Sequence, residues 1–440
     1  LLSCTVLGLV CGTLYAYSSF GPQLALQLGY LATEASLVVL SGNFGMALSG
    51  PFAGTFVDKK GYVSSLMVGI ISLFAGYIGL RAQYVALHGL VFVLCLFLFL
   101  VGCGLTLMFL VCLNCSAMMF PHNRGVPMSL PSALYGLLAM FYSMVAALVY
   151  PGDACGFLLF LSLSLAVIFA CCAPAIAICD LLAAAPPRVV LLANQIELEP
   201  ANSSSRCILH HGAAEPALLL LPQFWLLFFI TGALAAVGQM YIYSVGYMVR
   251  ALVATRFQHN NAAVQALAIE IDIQQELQSQ VAVLSAANCM GRLVAGFLGD
   301  FVRQKLRKPR SWLLFVPAVG LTAAQLLARD TAACDDLYTV SLLSGFMYGF
   351  TFCILPIIVG DVFGMENFSR NWGVMCLAPL FPANFFTSTF GMVYDSNSVT
   401  TDLGVSVCTM GKECYGQVFT MSLAVTIVAL VVVFVFNFGE

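Results

Sequence analysis

Of the seventeen Lys and Arg in this chain, Arg292 alone falls well inside a long apolar run. A charged side chain in such a place is costly and is usually kept for function. Its planar guanidinium presents a fork of donors matched to carboxylate or phosphate, so the chemistry it offers is anion recognition. The competing reading puts it near the end of its run, snorkelling to the interface or pairing with Asp300. Uncharged polar groups accompany it. Tyr15, Ser18 and Ser19 share a face by i, i+3, i+4 spacing if their segment is helical. Thr231, Gln239 and Tyr243 form a similar stripe, and Tyr348 and Asn384 are polar positions in later apolar runs. This set, Tyr15, Ser18, Ser19, Gln239, Tyr243, Arg292, Tyr348 and Asn384, is the candidate solute-binding site. Each member alone also suits a buried hydroxyl or amide that bonds a neighbouring helix.

The elements that must hold these residues are membrane helices. The chain is 61% hydrophobic and 8% charged over 440 residues, with a mean hydropathy of +0.97. A soluble domain carries about 25% charged residues, so a water-soluble globule is excluded and a lipid bilayer is the expected partner. A spanning helix needs about 20 apolar residues. Such windows fall near 2–21, 36–57, 62–82, 88–112, 128–150 and 156–182, and again near 222–246, 278–301, 311–329, 337–359, 373–394 and 416–437. The expected fold is all-α, with twelve spans in two six-helix bundles, 1–182 and 222–440. The stretch between them, 183–221, carries Pro186-Pro187, Glu197, Glu199 and Ser203-Ser204-Ser205 and reads as a polar connector. A second polar stretch, 250–278, is expected to form a short surface helix. The first residue already lies in an apolar run and is not Met, which predicts a further N-terminal segment.

Counting basic residues by loop gives orientation. One side holds Lys59, Lys60, Arg124, Arg188, Arg206, Arg303, Lys305, Arg307, Lys308, Arg310 and Arg370, eleven in all; the other holds Arg81, Arg250, Arg256, Arg329 and Lys412, five. The richer side is expected to be cytosolic, with both termini and the connector. The glycosylation patterns at Asn202 and Asn367 then face the cytosol and should carry no sugar.

Two patterns occur once in each half. Gly12-Thr13-Leu14-Tyr15-Ala16-Tyr17-Ser18 and Gly238-Gln239-Met240-Tyr241-Ile242-Tyr243-Ser244 both read Gly-x-x-Tyr-x-Tyr-Ser. Gly54-x-x-x-Asp58-Lys59 follows the second window, and Gly296-x-x-x-Asp300 with Arg303 follows the eighth. Glycine allows close helix approach, and the aspartate can bind across an interface in one conformation and release in another. Gly54, Asp58, Lys59, Gly296, Asp300 and Arg303 are the candidate gating residues. A doubled chain with these loops resembles the major facilitator superfamily. With Phe20-Gly21-Pro22, Phe120-Pro121-His122-Asn123-Arg124-Gly125 and Phe363–Gly373, it is similar to the fungal monocarboxylate-transporter-homologue branch, related to plant nodulin-like membrane proteins. The resemblance implies alternating access around a midplane site between the halves, and a vacuolar membrane, with the plasma membrane as the alternative.

Gly291-Arg292-x-x-x-Gly296 resembles the eighth span of monocarboxylate transporters, which implies contact between Arg292 and a substrate carboxylate. Two positions depart from that pattern. Asn288 stands where those proteins have an acidic residue, and Ser19 aligns loosely with a lysine of their first span. None of the twenty Asp and Glu falls at the centre of a window, which argues against lactate-type proton coupling. The expected function is therefore a secondary-active or facilitative carrier of a small organic solute, for example a carboxylate. A non-transporting sensor of the same fold, or a carrier of a metal chelate or amino acid, are the alternatives. No ATP-binding loop, zinc-hydrolase motif or dense basic tract is present, so no ATP use, enzymatic role, nucleic-acid partner or cofactor is expected. Cys112-x-x-Cys115 is a lone pair, the five histidines form no metal constellation, and most cysteines read as apolar packing residues. Cys408 and Cys414 flank a short loop and are the disulfide candidates, provided that loop faces an oxidising compartment.

Overall fold

The computed structural model describes residues 1–28, 32–86, 90–121, 123–150, 153–184, 218–257, 265–400 and 406–438. Most of the connector expected over 183–221 lies outside these residues, as do Asn202 and His88, His122, His210, His211 and His259. Within helices, the side chains of Tyr15, Ser18 and Ser19 also lie outside them.

The described chain is helical apart from one two-stranded hairpin. The first half comprises α1 (Leu2–Gly8), a 3-10 turn (Thr13–Ala16), α2 (Tyr17–Leu28), α3 (Ala32–Lys60), α4 (Tyr62–Ala86), α5 (Val91–Met119), α6 (Gly125–Val149) and α7 (Ala154–Ala184). The second comprises α8 (Pro222–Phe257), α9 (Gln265–Gln304), α10 (Phe315–Asp330, entered by a 3-10 turn Arg310–Leu314), α11 (Cys334–Val362), α12 (Phe368–Met375), α13 (Leu380–Ser396) and α14 (Gly416–Phe438). Eleven helices among the described residues are long and apolar enough to cross a membrane, α12 and α13 counting together as one. The twelfth expected span, near 2–21, is not one continuous helix. It breaks at Leu9–Gly12, where Gly12 adopts φ −105° and ψ 12° before the 3-10 turn. Glycine tolerates that departure and weakens a helix interior.

The polar stretch 250–278 also differs from expectation. Residues from Gln265 onward are not a separate surface helix but the first turns of the 40-residue α9. This part is rich in Ala, Gln, Glu and Leu, with neither Pro nor Gly to stop it. At 1.5 Å per residue α9 is about 60 Å long, about twice a hydrocarbon core. Its polar first turns therefore project beyond the apolar layer. One of their carboxylates, Glu276, accepts the Tyr338 hydroxyl at 2.9 Å.

Within each half, close crossings bind α3 to α5 and α9 to α11. Between the halves, α9 packs along α6 and the short α12 packs on α3, whereas α13 packs on α8 and α14 of its own half. The halves thus meet mainly at the end that carries Asp58 and Asp300. At the other end, β1 (Val399–Thr400) and β2 (Ser406–Val407) pair antiparallel, and the Cys408 and Cys414 sulfurs are bonded across a Cα–Cα distance of 6.1 Å. Thr255 donates to Thr409 O at 3.2 Å and Tyr415 to Thr331 O at 3.1 Å, which fixes this disulfide-closed loop on α8 and on the end of α10.

Candidate functional site

The two Gly-x-x-x-Asp copies end on opposite seams between the halves. On the first seam, Asp58 at the end of α3 accepts the backbone N–H of Arg370 at 2.8 Å and that of Ser369 at 3.3 Å. These are orphan donors in the first turn of α12, where a carboxylate is favoured by unmet hydrogen bonds and by the helix dipole together. On the second seam, Asp300 near the end of α9 accepts the N–H of Gly125 and Val126, each at 2.9 Å, at the start of α6. The glycines make this reach possible. A Cβ on Gly54 would lie 2.1 Å from Ser369 O, and one on Gly296 would lie 2.4 Å from Ser129 Oγ and 2.7 Å from Gly125 O.

The surroundings of the two aspartates differ. Asn114 donates from Nδ2 to Asp58 at 3.2 Å and to Ser369 Oγ at 2.6 Å, and its Oδ1 accepts the Tyr62 hydroxyl at 3.3 Å. That network is neutral apart from Asp58 itself. Asp300 instead holds the buried Arg310 at 2.8 Å, and Arg310 reaches on to Asp361 at 2.7 Å. Arg303 lies 3.5 Å and Arg124 4.0 Å from Asp361. Arg303, a gating candidate, therefore faces Asp361 and not Asp300. Lys59 lies with Thr55, Asp58, Asn367 and Arg370 around a recess of about 360 Å³ at the mouth of the first seam.

Arg292 sits two helical turns deeper than Asp300 on α9, about 18 Å from the Gln304 end at 1.5 Å per residue. It is 3% exposed. Its Nε donates to Asn288 Oδ1 at 2.8 Å, one turn back, and its Cζ lies 5.2 Å from the centroid of the Tyr135 ring on α6. Arg292 therefore neither snorkels nor pairs with Asp300, whose carboxylate is taken by Arg310. Its terminal nitrogens have no acceptor among the described residues. Gly136 provides the room, since a Cβ there would lie 2.8 Å from Asn288 Oδ1 and 3.4 Å from Arg292 Nε. Eight residues before each motif aspartate stand Arg292 in one half and Gly50 in the other. A Cβ on Gly50 would lie 2.4 Å from Gly373 O, so the equivalent place in the first half is closed by backbone contact.

Other candidates are only partly gathered. Gln239 donates to Tyr243 Oη at 3.1 Å, and Asn43 of α3 donates to the same oxygen at 3.4 Å from the opposite half. Thr231 is buried and spends its hydroxyl on Leu227 O. Tyr348 of α11 lies against Gly238, where a Cβ would be 2.4 Å from its ring, with its ring centroid 4.8 Å from that of Phe352. Asn384 is exposed and donates to Leu380 O in its own helix at 2.6 Å, without joining the others. Tyr15 lies in the 3-10 turn and Ser18 and Ser19 in the α-helix that follows, so the three do not sit on one continuous α-helix, and their side chains lie outside the described residues. Sequence reasoning missed Asn43, Tyr135 and Gly136. The polar-residue-in-a-span rule would have found Asn43; nothing local marks Tyr135 or Gly136.

The Major Facilitator Superfamily profile matches residues 3–378, and the chain belongs to that superfamily. It is 25% identical to an uncharacterized membrane protein of Saccharomyces cerevisiae, covering 95% of this chain and 90% of that one. It is also 25% identical to the probable transporter MCH1 of Wickerhamomyces anomalus, covering 90% and 80%. Among solved structures, a bacterial homologue of the iron transporter ferroportin in an outward-facing state superposes with a TM-score of 0.65 at 14% identity, covering 99% of this chain and 98% of that one. The fucose transporter FucP in the outward conformation gives 0.58 at 13%, covering 98% and 97%. These structures share the fold. Membership of the superfamily makes the chain a multi-pass membrane transporter and not an enzyme.

Proposed function

We propose that this transporter carries a small organic anion, bound through a carboxylate at Arg292, by rocking the bundles 1–182 and 222–440 about the connector 183–221. The observation that carries the reading is the buried guanidinium on the interface between the halves, with an amide and an aromatic ring as neighbours and no acidic partner among the described residues. A bound carboxylate would neutralise it and could engage both terminal nitrogens in bidentate fashion. Gln239, Tyr243 and Asn43 are proposed to meet the rest of the solute, and Tyr15, Ser18, Ser19, Tyr348 and Asn384 stay as further candidates from the sequence. Gly54, Asp58, Gly296 and Asp300 are proposed as the gate, closed here, at the cytosolic end; Lys59 and Arg303 border it. The excess of basic residues at that end supports the orientation, and solute gradients would supply the driving force. Resemblance to the fungal branch supports a vacuolar membrane, with the plasma membrane as the alternative, to be checked by imaging a tagged chain against organelle markers.

The test is uptake into liposomes containing purified protein and an internal pH dye. Labelled mono- and dicarboxylates, amino acids and sugars are offered one at a time, with Arg292→Ala in parallel. Uptake of a carboxylate that falls at least tenfold in the variant is expected. Uptake confined to uncharged solutes, or indifferent to Arg292, would overturn the reading. The dye reports separately whether protons move.

A further inference from the structure

Arg292 is an unbalanced charge, and that bears on how the empty carrier can move. The groups around it come from three helices. Its own α9 gives Asn288 and Cys289, α6 gives Tyr135 and Gly136, and α11 gives the buried Cys353. None is a carboxylate. Asp300 lies eight residues, or about 12 Å, further along α9 and is occupied by Arg310, Gly125 and Val126. All other acidic residues on the described helices lie towards helix ends or on the projecting turns of α9. Among the described residues, the deep interface between the halves thus holds one positive charge and no negative one.

We infer that the transporter is an anion exchanger: the bundles change over readily when a substrate carboxylate neutralises Arg292, and slowly when the site is empty. This rests on the carboxylate reading of Arg292. Rocking must pass through a state in which both ends are closed and the midplane site is shut off from water. An unpaired guanidinium is costly to desolvate there, whereas one paired with a carboxylate is compensated. The cation–π contact with Tyr135 and the amide of Asn288 lessen that cost without cancelling the charge. The loaded carrier with a monoanion is neutral at this site and the empty one is not. The slow step of net transport is then the return of the empty carrier, and an anion waiting on the far side removes it.

Asn288 makes the idea testable from the opposite direction. Asn288→Asp keeps the shape and sets a carboxylate 2.8 Å from Arg292 Nε, where the amide oxygen now lies. The empty carrier becomes neutral and its return should quicken, while external anions compete with the built-in one.

Liposomes containing the protein would take up labelled pyruvate, succinate or benzoate, with the same unlabelled anion either inside or absent. Wild type should take up the accepted probe at least tenfold faster into preloaded vesicles than into empty ones. In Asn288→Asp that ratio should fall to about one or two, with a weaker apparent affinity for the anion. Uptake that requires Arg292 but runs equally fast into empty and loaded vesicles would overturn exchange and leave the site reading standing. A wild-type ratio unchanged in Asn288→Asp would likewise sink the charge argument. Uptake of none of the three probes, or uptake untouched by Arg292→Gln, would remove the carboxylate site itself and this inference with it.

Discussion

Asp58→Asn is the change that weighs the proposed gate most directly. The aspartate accepts two backbone N–H groups from the start of α12, at 2.8 and 3.3 Å, and the Asn114 amide of its own half at 3.2 Å, and among the described residues no arginine side chain is in hydrogen-bond contact with it. A hydrogen bond to a charged group contributes about 1.5–3 kcal/mol net, and a neutral one roughly half that. The asparagine keeps one oxygen for Arg370 N. Its amide nitrogen then points a donor at the donors Ser369 N and Asn114 Nδ2, so of the two bonds that cross the seam one is lost and the other about halved. Arg370 is exposed at the seam, and water competes there, so the low end applies and the loss is about 2 kcal/mol. Since about 1.4 kcal/mol is a tenfold change, the closed-to-open ratio should fall roughly 30-fold. The hydrated open state hardly distinguishes the two side chains. The chain contains its own reporter, because Trp372 lies on α12 between Ser369 and Gly373, the residues that face α3, and is 2% exposed. The other two tryptophans, Trp225 and Trp312, are 52% and 37% exposed, and replacing both with Phe isolates Trp372. Acrylamide quenching of Trp372 should rise several-fold in Asp58→Asn, with a red-shifted emission. Equal quenching in a folded variant would refute the claim that this carboxylate holds the seam shut.

Four further expectations follow from the same contacts. Gly54→Val sets side-chain carbon into Ser369 O; the carrier should stay open at that end, with Trp372 quenchable and transport lost, although the detergent-solubilised protein remains monodisperse. Gly136→Ala crowds Asn288 Oδ1 at 2.8 Å, so carboxylate affinity should drop about tenfold with little change in thermal midpoint, as read by labelled uptake. Reduction of Cys408–Cys414, or Cys408→Ser, releases a loop of six-residue separation; loop-closure entropy predicts a loss of about 2 kcal/mol, visible as a lower melting temperature on adding reductant. Intact-mass measurement after expression in a eukaryotic host should show no glycan on Asn367, whose acceptor-pattern Ser369 is buried in the seam, and none on Asn202; sugar on Asn202 would reverse the assigned orientation.

The architecture could be read from the chain because lipid imposes a coarse rule. Apolar runs of spanning length announce helices without regard to their partners, and eleven of the twelve windows became continuous or nearly continuous spans. The remaining one, near residues 2–21, is interrupted for a local reason: Gly12 sits where the chain leaves α-helical geometry, which a hydropathy window cannot see. The aspartates of the proposed gate were legible because they repeat at fixed distance from a glycine. Their partners were not, since Asp58 and Asp300 bind backbone N–H groups, which every residue but proline possesses and no side-chain pattern reveals. Arg292 was conspicuous by its charge. The ring beside it and the glycine that makes room both come from α6, more than 150 residues away in sequence, and such a glycine looks like any other.

The two halves use one framework for two purposes. Eight residues before the motif aspartate, the first half has Gly50 against Gly373, an approach so close that no side chain fits. At the same offset the second half has Arg292 with Gly136 opposite. A glycine on the facing helix, in place of one on its own, turns a backbone contact into a chamber for a guanidinium. The seams follow a parallel division. Each closes on two backbone N–H groups accepted by its motif aspartate, those of Ser369 and Arg370 at the α3–α12 seam and those of Gly125 and Val126 at the α9–α6 seam. Asn114 adds an amide that reaches Ser369 across the first seam, whereas Arg124 lies 4.0 Å from Asp361 across the second. Arg310 holds Asp300 and Asp361 from within their own half, so its ion pairs brace Asp300 in place and are not broken when the halves part.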